Sequence, residues 1–167
     1  TDIATKRGWH RHEGILEGGL MRTVDPNPPN KAEYEQIIQQ DVRYVAWKKF
    51  ISDKHLGLIR EHITPEERTY MYATEDQILS ARDWIRQMNG CPWWVTLSVF
   101  VPHTPFHVPP KDTYTIKFKD ANKPTIQEMF VAMMEAFDHY LGKLFDDPDP
   151  EVQEQLKYTV IILMCEN

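Results

Sequence analysis

Residues Trp93–Pro110 read WWVTLSVFVPHTPFHVPP. The first nine are apolar or β-prone almost without a break, as expected of a strand covered on both faces in a parallel or mixed sheet. The remaining nine cannot prolong a ladder. Pro102, Pro105, Pro109 and Pro110 fix φ and remove backbone donors, so they define a stiff loop, and that loop holds His103 and His107 at the mouth of the expected sheet.

A second apolar run, YTVIILMC at Tyr158–Cys165, leads directly into Glu166 and Asn167. Between the two runs, Thr125 and Glu128 have capping-box spacing. They open a helix whose Met129, Phe130, Met133, Met134, Phe137, Tyr140, Leu141 and Leu144 form a broad apolar face. The stretch DDPDPE at 146–151 then breaks the chain. Two strands joined by a helical crossover predict a βαβ unit with parallel strands and a right-handed connection. Ligands of such sheets bind beyond the carboxyl ends of the strands, where His103 follows one expected strand and the Glu166–Asn167 pair follows the other.

Upstream, residues 1–30 are rich in Gly and then Pro and predict a loop, with a short extended piece at Gly14–Leu16. Asn30 and Glu33 predict a helix running to Gly57, with an apolar stripe that includes Tyr34, Val42 and Phe50. Thr64-Pro65 and Thr74–Gln77 mark two further helix starts, the last helix carrying Ile78, Ala81, Trp84, Ile85 and Met88 and stopping at Asn89-Gly90. Tyr114–Phe118 reads as a short strand. The expected organisation is one domain: a loop region over 1–30, a helical segment over 31–90 and a βαβ core over 91–167.

The 167 residues suffice for one domain that buries roughly 70% of its unfolded surface. Hydrophobic residues at 41% and charged residues at 26% fit a globular chain. A net charge of -6 argues against a broad nucleic-acid-binding face. No run of 18 apolar residues is present to span a membrane. Cys91 and Cys165 lie in no C-x-x-C and read as buried thiols.

Among residues able to carry chemistry, His103 reads either as a loop-packing histidine or as a donor to an anionic substrate oxygen. Glu166 and Asn167 are oxygen donors suited to a hard divalent cation, although two residues do not complete a six-ligand shell. His10, His12 and Glu13 lie close in sequence but fit no metal template.

Four blocks of the chain resemble the sulfatase family. PWWVTLSVFVPHTPFHVPP is similar to the segment in which a buried strand leads into A-PH-T-P. MFVAMMEAFDHYLGKLF followed by YTVIILMCEN resembles Y-x-x-M-V-E-x-x-D-x-x-I-G-x-L and then T-x-V-I-F-T-S-D-N-G. KRGWHRHEGILEGG resembles the N-R-G-F-D-x-F-Y-G-x-x-G-G loop, and YATEDQILSARDWI the helix Y-x-T-D-x-x-T-D-x-A-x-x-F-I. The blocks stand in the family's order over almost the whole chain.

The resemblance implies an α/β fold: part of an alkaline-phosphatase-like α/β/α sandwich with a mostly parallel sheet. It also implies metal-dependent hydrolysis of sulfate monoesters, borne by a small molecule or a sugar, with relatives acting on phosphate or phosphonate monoesters. His103 matches the substrate-contacting histidine, while Glu166 and Asn167 match the metal-binding Asp and Asn, with calcium as the expected metal. The family's nucleophile is a formylglycine made from the Cys or Ser of C/S-x-P/A-x-R. That motif is absent here, so no catalytic nucleophile is assigned in these 167 residues, and Glu166 stands where the family has Asp. The expectation is a segment of a sulfatase-like hydrolase, inactive in isolation; the alternative is a non-catalytic binding or scaffold protein of the same kind.

Overall fold

The computed structural model describes residues 9–14, 50–53, 57–60, 72–88, 90–103 and 106–164. Three helices form its centre: α1 (Ala73–Gln87), α2 (Ile126–Phe145) and the short α3 (Pro150–Leu156). Three short strands, β1 (Arg11–Gly14), β2 (Phe50–Asp53) and β3 (Gly57–Arg60), make a small antiparallel sheet in the order β1-β2-β3.

α1 buries Ile78, Ala81 and Ile85, a spacing of three and four residues that keeps them on one face. It ends as the sequence leads one to expect. Gly90 adopts φ +76, a left-handed conformation that glycine reaches without a Cβ clash and that commonly closes a helix. α2 opens with the expected capping box: the Thr125 hydroxyl accepts from the Glu128 N–H, while the Glu128 carboxylate accepts from the Thr125 N–H. Its buried stripe is Ala132, Met133, Ala136, Tyr140 and Leu144. This stripe is narrower than expected, since Phe130 and Met134 of the same helix remain 42% and 39% exposed.

α3 lies where the sequence reading has only a chain break. The Asp149 carboxylate accepts from the Glu151 N–H, and Pro150 at the first helical position surrenders a donor that would have had no partner there. The three helices close on Tyr72, Ile78, Ile85, Ala136, Tyr140, Leu144 and Val152. Val152, Ala136 and Met133 are fully buried.

The expected α/β sandwich with a mostly parallel sheet is not what forms. The described residues are mainly helical, and the strand pairing among them is antiparallel, at Arg11↔Asp53 to Gly14↔Phe50 and Ile51↔Arg60 to Asp53↔Gly57. Residues 92–100 and 159–164 form neither helix nor strand and belong to no ladder of the described sheet, so the predicted βαβ unit and the alkaline-phosphatase-like core are overturned. Trp93, Val95 and Leu97 pack against the helical core, whereas Trp94, Thr96 and Ser98 face solvent. The first run is therefore covered on one face, by helices. Its own alternation of apolar residues with Thr96 and Ser98 carries that message, and the density of apolar residues in the run conceals it.

Phe50, expected on a long helix, lies in β2, and the sheet reaches α1 where the Arg11 guanidinium sits 5.9 Å from the centre of the Trp84 ring. Of the expected extended piece at Gly14–Leu16, Gly14 ends β1, and Ile15 and Leu16 lie outside the described residues. Tyr114–Phe118, expected as a strand, pairs with no described strand. The predicted helix start at Thr64 and residues 30–49 lie outside the described residues. Among the described residues no helix is long and apolar enough to cross a membrane.

Candidate functional site

The loop that carries His103 is anchored on both sides. On the approach, Gln77 of α1 donates from Nε2 to the Ser98 carbonyl at 2.8 Å and accepts from the Phe100 N–H at 3.3 Å. In extended chain the carbonyl of one residue and the N–H two residues on point to the same edge. One glutamine side chain therefore takes the place that a neighbouring strand would fill. The chain then turns through a cis Val101-Pro102 bond, and the His103 N–H closes the turn on the Phe100 carbonyl at 2.7 Å. His103 itself is exposed.

Beyond His103 the chain returns to the core. Phe106 packs against Phe130 of α2, ring centres 6.5 Å apart. His107 is 4% exposed, and its Nε2 shares a hydrogen bond of 2.9 Å with the Tyr72 hydroxyl immediately before α1. The His107 and Tyr72 rings meet edge to face, and Tyr72 stacks on Tyr140 of α2. Burial pushes the Tyr72 phenol up to about 12, and it raises Tyr140 further, with the Glu75 carboxylate adding to the effect. After Pro109, which is buried, the Thr113 hydroxyl donates to the Pro110 carbonyl at 2.7 Å and starts a turn of 3-10 helix over Lys111–Thr113.

This geometry answers why the loop holds two histidines. His107 is an anchor in the core; His103 is the one presented to solvent. Its flanking residues are fixed at residue 100 and residue 107, so it is held on a short tether. The anchoring partners Gln77 and Tyr72 are invisible to motif reading, since nothing in a glutamine on a helix announces a bond to a carbonyl 21 residues away. The one available signal is the pattern P-F-H-V-P, in which a histidine between two apolar residues is suited to burial.

Glu166 and Asn167 lie outside the described residues, so the expected meeting of His103 with this pair at a common rim has no geometry here. Among the described residues no group of three or more His, Cys, Asp and Glu side chains is placed to hold a metal ion. His12 and Glu13 belong to β1, opposite Ser52 and Ile51. The carboxylate and amide oxygens of Glu166 and Asn167 suit a hard cation such as calcium by their chemistry alone.

A separate cavity of about 480 Å³ lies between α1 and the end of α2, lined by residues including Ile78, Arg82, His139, Lys143, Leu144 and Asp147. Of its charged residues, Arg82 lies 3.9 Å from Asp147 and 2.8 Å from the neighbouring Asp83. The His139 Nε2 is buried without a hydrogen-bond partner among the described residues, but it has almost no accessible surface to offer a ligand. The family resemblance assigns no role to any of these residues.

Comparison with known proteins adds no relative: no family model, curated protein or solved structure matches this chain.

Proposed function

We propose that this chain supplies the substrate-contacting loop of a metal-dependent sulfate-ester hydrolase of the sulfatase kind. What carries the proposal is the presentation of His103: an exposed imidazole on a proline-framed turn, fixed on either side by Gln77 and by the buried His107–Tyr72 pair. The four sequence blocks that resemble sulfatases, in their family order, give that imidazole its chemistry.

A sulfuryl group in transfer spreads negative charge over its outer oxygens. A positioned N–H donor lowers the barrier by stabilising that charge. His103 is cast in this role, donating to a non-bridging or leaving-group oxygen of a small-molecule or sugar sulfate ester. Glu166 and Asn167 are cast as oxygen ligands of a divalent cation, calcium by preference, which when bound supplies charge stabilisation at the ester. Glu166 is one methylene longer than the family's Asp, which shifts its oxygens by about a bond length and retunes that site.

No C/S-x-P/A-x-R motif occurs in these residues, so no nucleophile is assigned among them. The same absence favours the second reading, a binding or scaffold protein without turnover. An aryl sulfate assay in calcium separates the two. The 167-residue chain alone is expected to give no turnover, and the polypeptide as its gene encodes it is expected to hydrolyse the ester. Absence of turnover from that complete polypeptide would favour the scaffold reading. A clear rate from the isolated chain, lost on His103→Ala, would contradict the absence of a nucleophile among these residues.

A further inference from the structure

Gly142 stands in the last turn of α2, where the fold does not ask for a glycine. It does not share the positive φ of Gly90, and its carbonyl accepts from the Asp146 N–H at 2.8 Å as in any regular helix. A Cβ added to it would meet no side chain, and no backbone beyond its own stretch of helix, within 4 Å. Glycine inside a helix costs stability relative to alanine, and packing does not require that cost here. The open space belongs to the cavity of about 480 Å³ between α1 and the end of α2, a volume in the range of small-molecule sites. Bare backbone in a cavity wall lets a ligand approach closely.

The lining says what kind of ligand. Ile78 and Leu79 of α1, with Leu144 and Pro148, supply apolar wall. Four charged side chains share the cavity, and two of them are engaged: Arg82 lies 3.9 Å from Asp147, whose carboxylate also accepts from the Asp149 N–H at 2.9 Å. The other two, Lys143 and Asp146, are exposed and have no ion-pair partner among the described residues. The Lys143 ammonium instead sits 5.2 Å from the centre of the Tyr140 ring. An anion in the cavity would be opposed by Asp146, and a cation by Lys143. A ligand bearing both charges beside an apolar body matches both.

We propose that this cavity binds a free α-amino acid with an apolar side chain. Its carboxylate faces Lys143, its ammonium faces Asp146, and its side chain lies over Gly142 against Ile78, Leu79, Leu144 and Pro148. The site is separate from the ester-hydrolase reading, since it uses neither His103 nor the Glu166–Asn167 pair.

The test is a titration of the 167-residue chain, read by backbone amide chemical shifts, with L-phenylalanine, hydrocinnamate and phenethylamine. These share the ring and carry both charges, the negative charge alone or the positive charge alone. L-phenylalanine is expected to give saturable shifts at Gly142, Lys143 and Leu144, with each singly charged analogue binding several-fold more weakly. Gly142→Leu places a side chain in the open space; it is expected to keep or raise the melting temperature, leucine being the better helix former, and to abolish the shifts. Lys143→Gln and Asp146→Asn, at exposed positions, are each expected to weaken binding several-fold. The absence of a saturable shift with L-phenylalanine, equal binding of either singly charged analogue, or binding that survives Gly142→Leu would each overturn the proposal.

Discussion

The hydroxyl of Tyr72 and the Nε2 of His107 share a buried hydrogen bond of 2.9 Å across 35 residues of sequence. It ties the start of α1 to the far side of the loop that presents His103. Tyr72→Phe keeps the ring and its stacking on Tyr140 but leaves a buried imidazole nitrogen without this partner. We expect a loss of about 1–3 kcal/mol, read as a lower urea midpoint at unchanged slope.

The same tyrosines give the protein an alkaline limit. The Tyr72 phenol is raised by burial to about 12 from an ordinary value of 10.0, and Tyr140 is raised as well. A group whose folded value is raised contributes its stability in full below the unfolded value, and that contribution falls away as pH climbs through the interval from 10 to 12. Spectrophotometric titration of tyrosine is expected to show exposed phenols ionising first and the buried pair only as the fold is lost. Ionisation of Tyr72 below the ordinary phenol value, with the helices intact, would contradict this.

At the opposite end of the pH scale, Glu128 is the group to watch. The backbone N–H groups of Lys119 and Thr125, with the Thr125 hydroxyl, hold its carboxyl down to about 2. A depressed carboxyl stabilises the fold above its unfolded value near 4.5 and loses that contribution as pH falls through about 2. Thr125→Ala removes the cap from α2 and is expected to cost about 1 kcal/mol. Amide exchange localised to the first turn of α2 checks where the loss falls.

Gln155 of α3 clips three parts of the core together. Its side chain donates to the Ile85 carbonyl at the end of α1 and accepts from the Trp93 indole N–H at 2.8 Å. Gln155→Leu retains bulk and removes both bonds. The expected outcome is a shifted, faster-exchanging Trp93 indole N–H signal and a loss of about 1–3 kcal/mol. An unmoved indole signal would show that packing of Trp93 against the helices is sufficient.

Met133 is completely buried on α2. Met133→Ala should lower stability by about 2–5 kcal/mol, the range for a large-to-small change in a packed interior. Met134, its exposed neighbour, is the internal control and is expected to lose far less on the same substitution.

These residues also show how far the sequence could be read. The helices were legible because their signals are local: Thr125 and Glu128 form the expected capping box, Gly90 stops α1, and the spacing of Ile78, Ala81 and Ile85 names the buried face. The strands were not, because an apolar run reports only that cover is wanted, without saying what provides it. Trp93–Leu97 found helices on one side, and Val160–Met164 found no cover among the described residues. The prolines around His103 were legible as a loop, whereas the role of His107 depends on Tyr72, a partner no spacing rule reaches. α3 was hidden by its own Asp and Pro residues, which break one helix and cap the next.

The most direct test is the turnover of an aryl sulfate, in calcium, by the polypeptide as its gene encodes it, compared with its His103→Ala variant. If His103 donates to the ester oxygens, the variant should lose about 10²-fold in kcat while its circular dichroism stays unchanged. An unaltered rate in His103→Ala would contradict the account.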